Sequence, residues 1–163
     1  MNPLRFSKIL IVDDSPFFRS SIRKILREAK IGTYIYEAKD GHEGVAQYIS
    51  KKPHLVIMDI VMPKVSGVKA TQAITKYDPN AKIIVISTKE NQETINAVIK
   101  VGNAKDYVLK PFNSSSVIMA VSKQLVGSRP KNEQKSAEKD NLESDYEYSK
   151  IKEDAMSILM EAL

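Results

Sequence analysis

A fivefold alternation of short apolar segments with longer segments of helical periodicity limits the folds open to this chain. Each apolar segment has the length of a short β-strand; the five cover residues 8–12, 33–38, 54–58, 81–86 and 106–109. An apolar face that repeats every three or four positions follows each of them, over residues 16–29, 44–51, 67–77, 92–101 and 114–126. Strands that alternate with helices in this way predict a parallel sheet covered by helices on both faces.

Two of the apolar segments contain a run of four residues with no polar side chain, at 55–58 and at 83–86. A strand with one solvated face alternates apolar and polar residues, whereas a central parallel strand is buried on both faces. We therefore expect an α/β fold with a doubly wound, five-stranded parallel sheet, the flavodoxin-like (βα)5 arrangement.

The composition changes after residue 126, and three segments are predicted: a folded domain over 1–126, a linker and a tail helix. Residues 127–147 are mostly polar and charged, so we expect a disordered linker. Residues 148–163 place apolar side chains on one helical face and predict an amphipathic, acidic C-terminal helix. This helix could bind its own domain, bind a partner or be a frayed terminus. A conventional output domain is not expected in so short a segment.

Charge, cysteine content and hydropathy exclude several classes of protein. The net charge is +5, but residues 1–126 carry 19 Lys and Arg against 11 Asp and Glu, whereas residues 127–163 carry 6 against 9. The basic residues form no stripe and no aromatic residues lie among them, so nucleic-acid binding is not expected. The absence of cysteine excludes disulfides and thiolate metal sites. No apolar run reaches the length of a membrane span, so we expect a soluble, cytoplasmic protein without membrane insertion.

Chemically active side chains follow four of the five predicted strands. Asp13 and Asp14 follow the first strand, Asp59 the third, Ser87 the fourth and Lys110 the fifth. The carboxyl ends of parallel strands meet at one edge of the sheet, where ligands bind in folds of this kind. Each residue alone could have an ordinary role in a helix cap or a turn, but their coincidence at four strand ends favours a common site.

The chemistry of such a site is that of magnesium and phosphate. Three carboxylates repel one another unless a cation lies between them, and oxygen ligands without His or Cys suit Mg²⁺. An ammonium group at Lys110 and a hydroxyl group at Ser87 can hold phosphoryl oxygens. A carboxylate such as Asp59 can attack phosphorus and form an acyl phosphate.

These residues lie in four motifs through which the chain resembles a known family. The motifs are Ile-Leu-Ile-Val-Asp-Asp-Ser at 9–15, Met-Asp-Ile-Val-Met-Pro at 58–63 with Gly67 after it, Val-Ile-Ser-Thr at 85–88, and Asp-Tyr-Val-Leu-Lys-Pro-Phe at 106–112. Over residues 6–126 the chain resembles the receiver domain of response regulators, most closely the single-domain chemotaxis type, which is CheY-like.

The resemblance implies roles for the acidic residues. Asp59 would be the phospho-acceptor, with a histidine kinase or a phosphotransfer protein as the donor. Mg²⁺ would be bound by Asp14, Asp59 and the backbone carbonyl of Val61, and by Asp13 through a water molecule. The protein would catalyse only its own phosphorylation and dephosphorylation, and would not be an enzyme in the usual sense.

The resemblance also implies how the signal is transmitted. Ser87 and Lys110 would hold the phosphoryl group, Tyr107 would be an aromatic switch, and the Lys110–Pro111 peptide bond would be cis. A downstream protein would bind the face formed by the fourth helix, fifth strand and fifth helix, with chemotaxis or motility as the expected pathway.

Three features depart from the family pattern. Val61 offers no side-chain polarity to orient an attacking water, so slow loss of phosphate is expected. Thr88 is larger than the small residue common at its position and could crowd the phosphate. The stretch 101–106 is one residue longer than the usual loop.

Other functions share some of these residues. A shuttle receiver in a phosphorelay has the same motifs and cannot be separated from a chemotaxis receiver by sequence. A phosphohydrolase with an aspartyl-phosphate intermediate would place its nucleophile after the first strand, the reverse of the order here. A DNA-binding regulator would need a basic folded module after the linker, where this chain is acidic.

Overall fold

The predicted doubly wound sheet is confirmed. A computed structural model describes residues 2–100 and 104–126, and within them five parallel strands form one sheet in the order β2-β1-β3-β4-β5. The strands are β1 (Lys8–Val12), β2 (Tyr34–Ala38), β3 (Leu55–Asp59), β4 (Ile83–Thr88) and β5 (Asp106–Lys110). The predicted linker and tail helix lie outside the described residues.

Five α-helices of the described residues connect and follow the strands. They are α1 (Pro16–Glu28), α2 (Gly41–Lys51), α3 (Gly67–Tyr77), α4 (Gln92–Lys100) and α5 (Ser114–Val126), and a 3-10 turn over Lys89–Asn91 precedes α4. Ser15 caps α1, with Pro16 in its first turn, as expected from their residue types. In the part of the chain that the structure describes, no helix has the length and apolar character needed to cross a membrane.

Two predicted elements differ from the structure by more than one residue, and hydrogen bonds account for both. Helix α2 begins at Gly41 and not at residue 44, because the Asp40 side chain accepts a hydrogen bond from the backbone N–H of Glu43 and starts the helix one turn earlier. Strand β4 covers 83–88 and not 81–86, because its pairing with β5 continues to Thr88, which lies opposite Lys110.

The apolar strands serve two cores because successive side chains point to opposite faces of the sheet. On one face, α2, α3 and α4 cover a core that includes Leu10, Val12, Val56 and Met58. On the other face, α1 and α5 cover a second core formed by the intervening positions of the same strands. Strands β1 and β3 are therefore buried on both sides, which explains their continuous apolar sequence.

The start of α3 lies directly against the end of β3. The backbone N–H of Gly67 donates to the carbonyl oxygen of Ile60 at 2.9 Å, and a Cβ atom at position 67 would lie 2.7 Å from the carbonyl carbon of Asp59. Ser66 caps α3 by accepting from the backbone N–H of Lys69. Gly67 is thus required here by a close approach of two backbone segments, and the approach fixes where Asp59 lies.

We predict that Gly67→Ala destabilises the protein more than Gly44→Ala. The added methyl group at position 67 meets backbone, which cannot move away without shifting Asp59, whereas at position 44 it meets the Val12 side chain at 2.9 Å. Overpacking costs ~1–3 kcal/mol, and the upper part of that range is expected for position 67. Urea unfolding measures the free energy of unfolding of both variants. An equal decrease in the two variants would contradict the explanation by backbone contact.

Candidate functional site

The register of the sheet brings the ends of β1, β3, β4 and β5 together. Val12 lies opposite Met58, so the residue after each of them, Asp13 or Asp59, is at the same level of the sheet. Asp59 pairs with Ile86 on β4, so Ser87 is the next residue along that strand, and β5 ends at Lys110. The carboxyl edge of the sheet therefore collects the five side chains that the sequence singled out.

Three carboxylates form the acidic part of this edge. One oxygen from each of Asp13, Asp14 and Asp59 lies within 4.8 Å of the others. Asp13 and Asp59 are buried, whereas Asp14 is exposed. The cluster is thus closed towards the protein and open on the side of Asp14, as a site that takes up ligands from solvent must be.

Lys110 is the positive group within this cluster. Its Nζ atom donates to Asp13 Oδ2 at 2.9 Å and lies 3.5 Å from Asp59 Oδ2. The same ammonium group lies 3.9 Å from the ring centroid of Phe18, a cation–π contact on its remaining side. Phe18 in turn packs against Phe112. Lys110 is therefore fixed between two carboxylates and an aromatic ring.

Backbone and side-chain contacts hold Asp13 in place. Its Oδ1 atom accepts from the backbone N–H of Ser15 at 2.8 Å, and its carbonyl oxygen accepts from Arg19 Nη1 at 2.6 Å. Arg19 and Arg23 both form ion pairs with Glu37 on β2. The first residue of the acidic pair is thus anchored, which leaves Asp14 as the more accessible of the two.

The environment of Asp59 favours its protonated form when no cation is bound. Burial, together with the charges of Asp13 and Asp14, raises the pKa of Asp59 from 3.8 to about 6, although Lys110 acts in the opposite direction. When all three carboxylates are ionised, the cluster carries two negative charges more than Lys110 balances. Three carboxylates, each with an oxygen within 4.8 Å of the others, form a donor set suited to a hard divalent cation.

The remaining predicted residues fall into two groups. Val61, Ser87, Thr88 and Pro111 line the same open cleft of about 500 Å³ as Asp14, Asp59 and Lys110. The Lys110–Pro111 peptide bond is cis. Tyr107, by contrast, is not among the residues that line the cleft, and its side chain is 40% exposed.

Phe18 and Asn91 also line the cleft, although neither was predicted to belong to the site. Asn91 Nδ2 donates to Ser87 Oγ at 3.0 Å and to Thr88 Oγ1 at 3.1 Å. A polar residue four positions after Ser87 was the available signal, because a chain that turns into a helix after a strand brings such residues together.

We predict a pH-dependent stability difference between wild type and Asp59→Asn without divalent cations. From about pH 4 to 6 the folded protein keeps the Asp59 proton that the unfolded chain releases, so its free energy of unfolding falls as pH rises. Asp59→Asn has no proton to lose at this position, so its free energy of unfolding should not fall in this way. Relative to wild type it should therefore rise by ~3 kcal/mol as pH passes through this range, since each pKa unit corresponds to about 1.4 kcal/mol.

Urea unfolding in EDTA, at several values between pH 4 and 7, measures this difference. Glu28→Gln, which removes an exposed carboxylate away from the cluster, serves as the control and should follow wild type. A constant difference between wild type and Asp59→Asn across the pH range would contradict the prediction.

Comparison with known proteins agrees with this geometry. Residues 9–122 match the model of the response regulator receiver domain. The chain is 43% identical over 116 residues to the chemotaxis protein CheY of Thermotoga maritima, which covers 71% of this chain and 95% of that protein. It is 36% identical over 122 residues to the protein PilH of Pseudomonas aeruginosa, and the match covers 74% of this chain and 99% of that protein.

Solved structures are similar as well. The receiver domain of NtrX from Brucella abortus matches with a TM-score of 0.69 and 28% identity, covering 74% of this chain and all of that domain. The chemotaxis protein CheY4 of Vibrio cholerae matches with a TM-score of 0.67 and 25% identity, and the match covers 74% of this chain and 99% of that protein. The chain therefore belongs to the response regulator receiver domain family.

Proposed function

We propose that this protein is a signalling receiver that is phosphorylated on Asp59 by a histidine kinase or a phosphotransfer protein. The observation that carries the proposal is the meeting of Asp14, Asp59, Ser87 and Lys110 in one open cleft. A carboxylate nucleophile, a cation site and two donors for phosphoryl oxygens are the groups that phosphoryl transfer to a carboxylate needs.

The transfer step is a displacement at phosphorus. A carboxylate oxygen of Asp59 forms a bond to phosphorus as the P–N bond of the donor's phosphohistidine breaks. The imidazole nitrogen keeps the electron pair of that bond and takes a proton from solvent, and Asp59 becomes an acyl phosphate. Lys110 and the Ser87 hydroxyl donate to the phosphoryl oxygens, which gather negative charge during the transfer.

Magnesium fits the acidic cluster. Asp14 and Asp59 would hold it directly, with the backbone carbonyl of Val61, and Asp13 would act through a bound water. When bound, Mg²⁺ neutralises the repulsion among the carboxylates and between Asp59 and the incoming phosphoryl group.

A face of α4, β5 and α5 is proposed to bind the downstream protein. Lys123 on α5 lies 3.8 Å from Asp106 on β5, and Met119, one helical turn earlier and 71% exposed, lies on the same stripe of α5. The partly exposed ring of Tyr107 follows Asp106. Exposed Met and Tyr side chains are typical of protein interfaces.

A chemotaxis or motility pathway is proposed from the relatives. Proteins named as chemotaxis protein CheY are 36 to 43% identical to this chain in several organisms.

On the donor side, Phe17 is proposed to contact the kinase or phosphotransfer protein. It is 71% exposed at the start of α1 and lies next to the cleft-lining Phe18.

We predict that acetyl phosphate with Mg²⁺ phosphorylates the wild-type protein and that Asp59→Asn abolishes this. The mass of the intact protein should increase by one phosphoryl group in wild type and in the Glu28→Gln control, and EDTA should prevent the increase in both. Undiminished labelling of Asp59→Asn would refute Asp59 as the acceptor.

We predict that the acyl phosphate of the wild type decays more slowly than that of Val61→Asn. Val61 is 61% exposed in the cleft and cannot form a hydrogen bond to an attacking water, whereas an asparagine amide can. Decay of the phosphorylated protein after removal of donor measures both rates. Faster decay in wild type would overturn the prediction.

A further inference from the structure

Asn91 is a polar cleft residue to which the proposed phosphoryl transfer assigns no role. It lies in the 3-10 turn between β4 and α4, and its side-chain amide faces two hydroxyl groups, Ser87 Oγ at 3.0 Å and Thr88 Oγ1 at 3.1 Å. Ser87 is 2% exposed, so its hydroxyl has few other partners available from solvent.

The direction of these two hydrogen bonds is set by the Asn91 side chain. Its NH₂ group, Nδ2, lies between the two hydroxyl oxygens and carries two hydrogens, so it can donate to both.

This arrangement determines what Ser87 can do. Because Ser87 Oγ accepts from Asn91, its own proton is free to be donated into the cleft. An accepted hydrogen bond also polarises the hydroxyl and strengthens the bond that it donates. A carboxylate at position 91 would reverse this arrangement, because it would accept the Ser87 proton.

We infer that Asn91 is a positioning residue that fixes the Ser87 hydroxyl as a donor to the phosphoryl group on Asp59. The inference rests on the proposed phosphorylation of Asp59. Asn91 acts through Ser87 and does not itself contact the reacting atoms.

The test is a double-mutant cycle with Asn91→Asp, which keeps the shape of the side chain and removes its donor. The rate of phosphorylation by acetyl phosphate and the affinity for beryllofluoride with Mg²⁺, followed by ¹⁹F NMR, are measured in wild-type and Ser87→Ala backgrounds. In the wild-type background we expect Asn91→Asp to reduce the phosphorylation rate and the beryllofluoride affinity by about three- to tenfold, which is the contribution of one hydrogen bond. The Ser87→Ala background reports the effect of the added charge alone, and there we expect a clearly smaller loss.

Three further variants separate positioning from a general effect on the turn. Asn96→Asp makes the same change at an exposed position of α4 and should behave as wild type. Asn91→Gln keeps the amide donor and should retain more of the phosphorylation rate than Asn91→Ala.

The inference would be overturned if Asn91→Asp reduced the phosphorylation rate and the beryllofluoride affinity equally in the wild-type and Ser87→Ala backgrounds. It would also be overturned if Asn91→Asp alone left the phosphorylation rate unchanged. Failure of the wild-type protein to be phosphorylated would instead refute the proposed function, so the two failures are distinguishable.

Discussion

The pairing of β1 with β3 is the constraint on which the rest of the site depends. These two strands are buried on both faces, and their register sets Asp13 level with Asp59. A shift of one residue would turn every side chain of a strand to the opposite face and exchange the two cores. The apolar burial that fixes the register therefore also holds like charges close together, an arrangement that the acidic cluster could not maintain by itself.

Lys110 connects this charge cluster to the neighbouring strands. Its ammonium group contacts Asp13, Asp59 and the ring of Phe18 at the same time. A phosphoryl group on Asp59 would compete with Asp13 for the same ammonium protons. The contacts of Lys110 before and after such a modification therefore differ, even if no backbone moves.

Much of the fold and of the candidate site could be predicted from the sequence, because strand ends are visible in an apolar pattern. The five side chains at the carboxyl edge follow directly from that pattern and from parallel topology. Contacts that depend on loop geometry could not be predicted: Phe18 reaches Lys110 through the turn into α1, and Asn91 reaches Ser87 through a 3-10 turn. The start of α2 at Gly41 depends on the Asp40 cap, a local side-chain hydrogen bond that the apolar periodicity does not show.

Helix α5 connects the two ends of the molecule. It begins at Ser114, close to Pro111 of the cleft, and near its end the carbonyl oxygen of Gln124 accepts a hydrogen bond from Lys82, just before β4. Its 13 residues span ~20 Å. Helix α5 thus ends at the edge of the sheet opposite to Asp59. The peptide bond that continues the chain after Val126 lies at that edge, and α5 itself reaches from there back to the cleft.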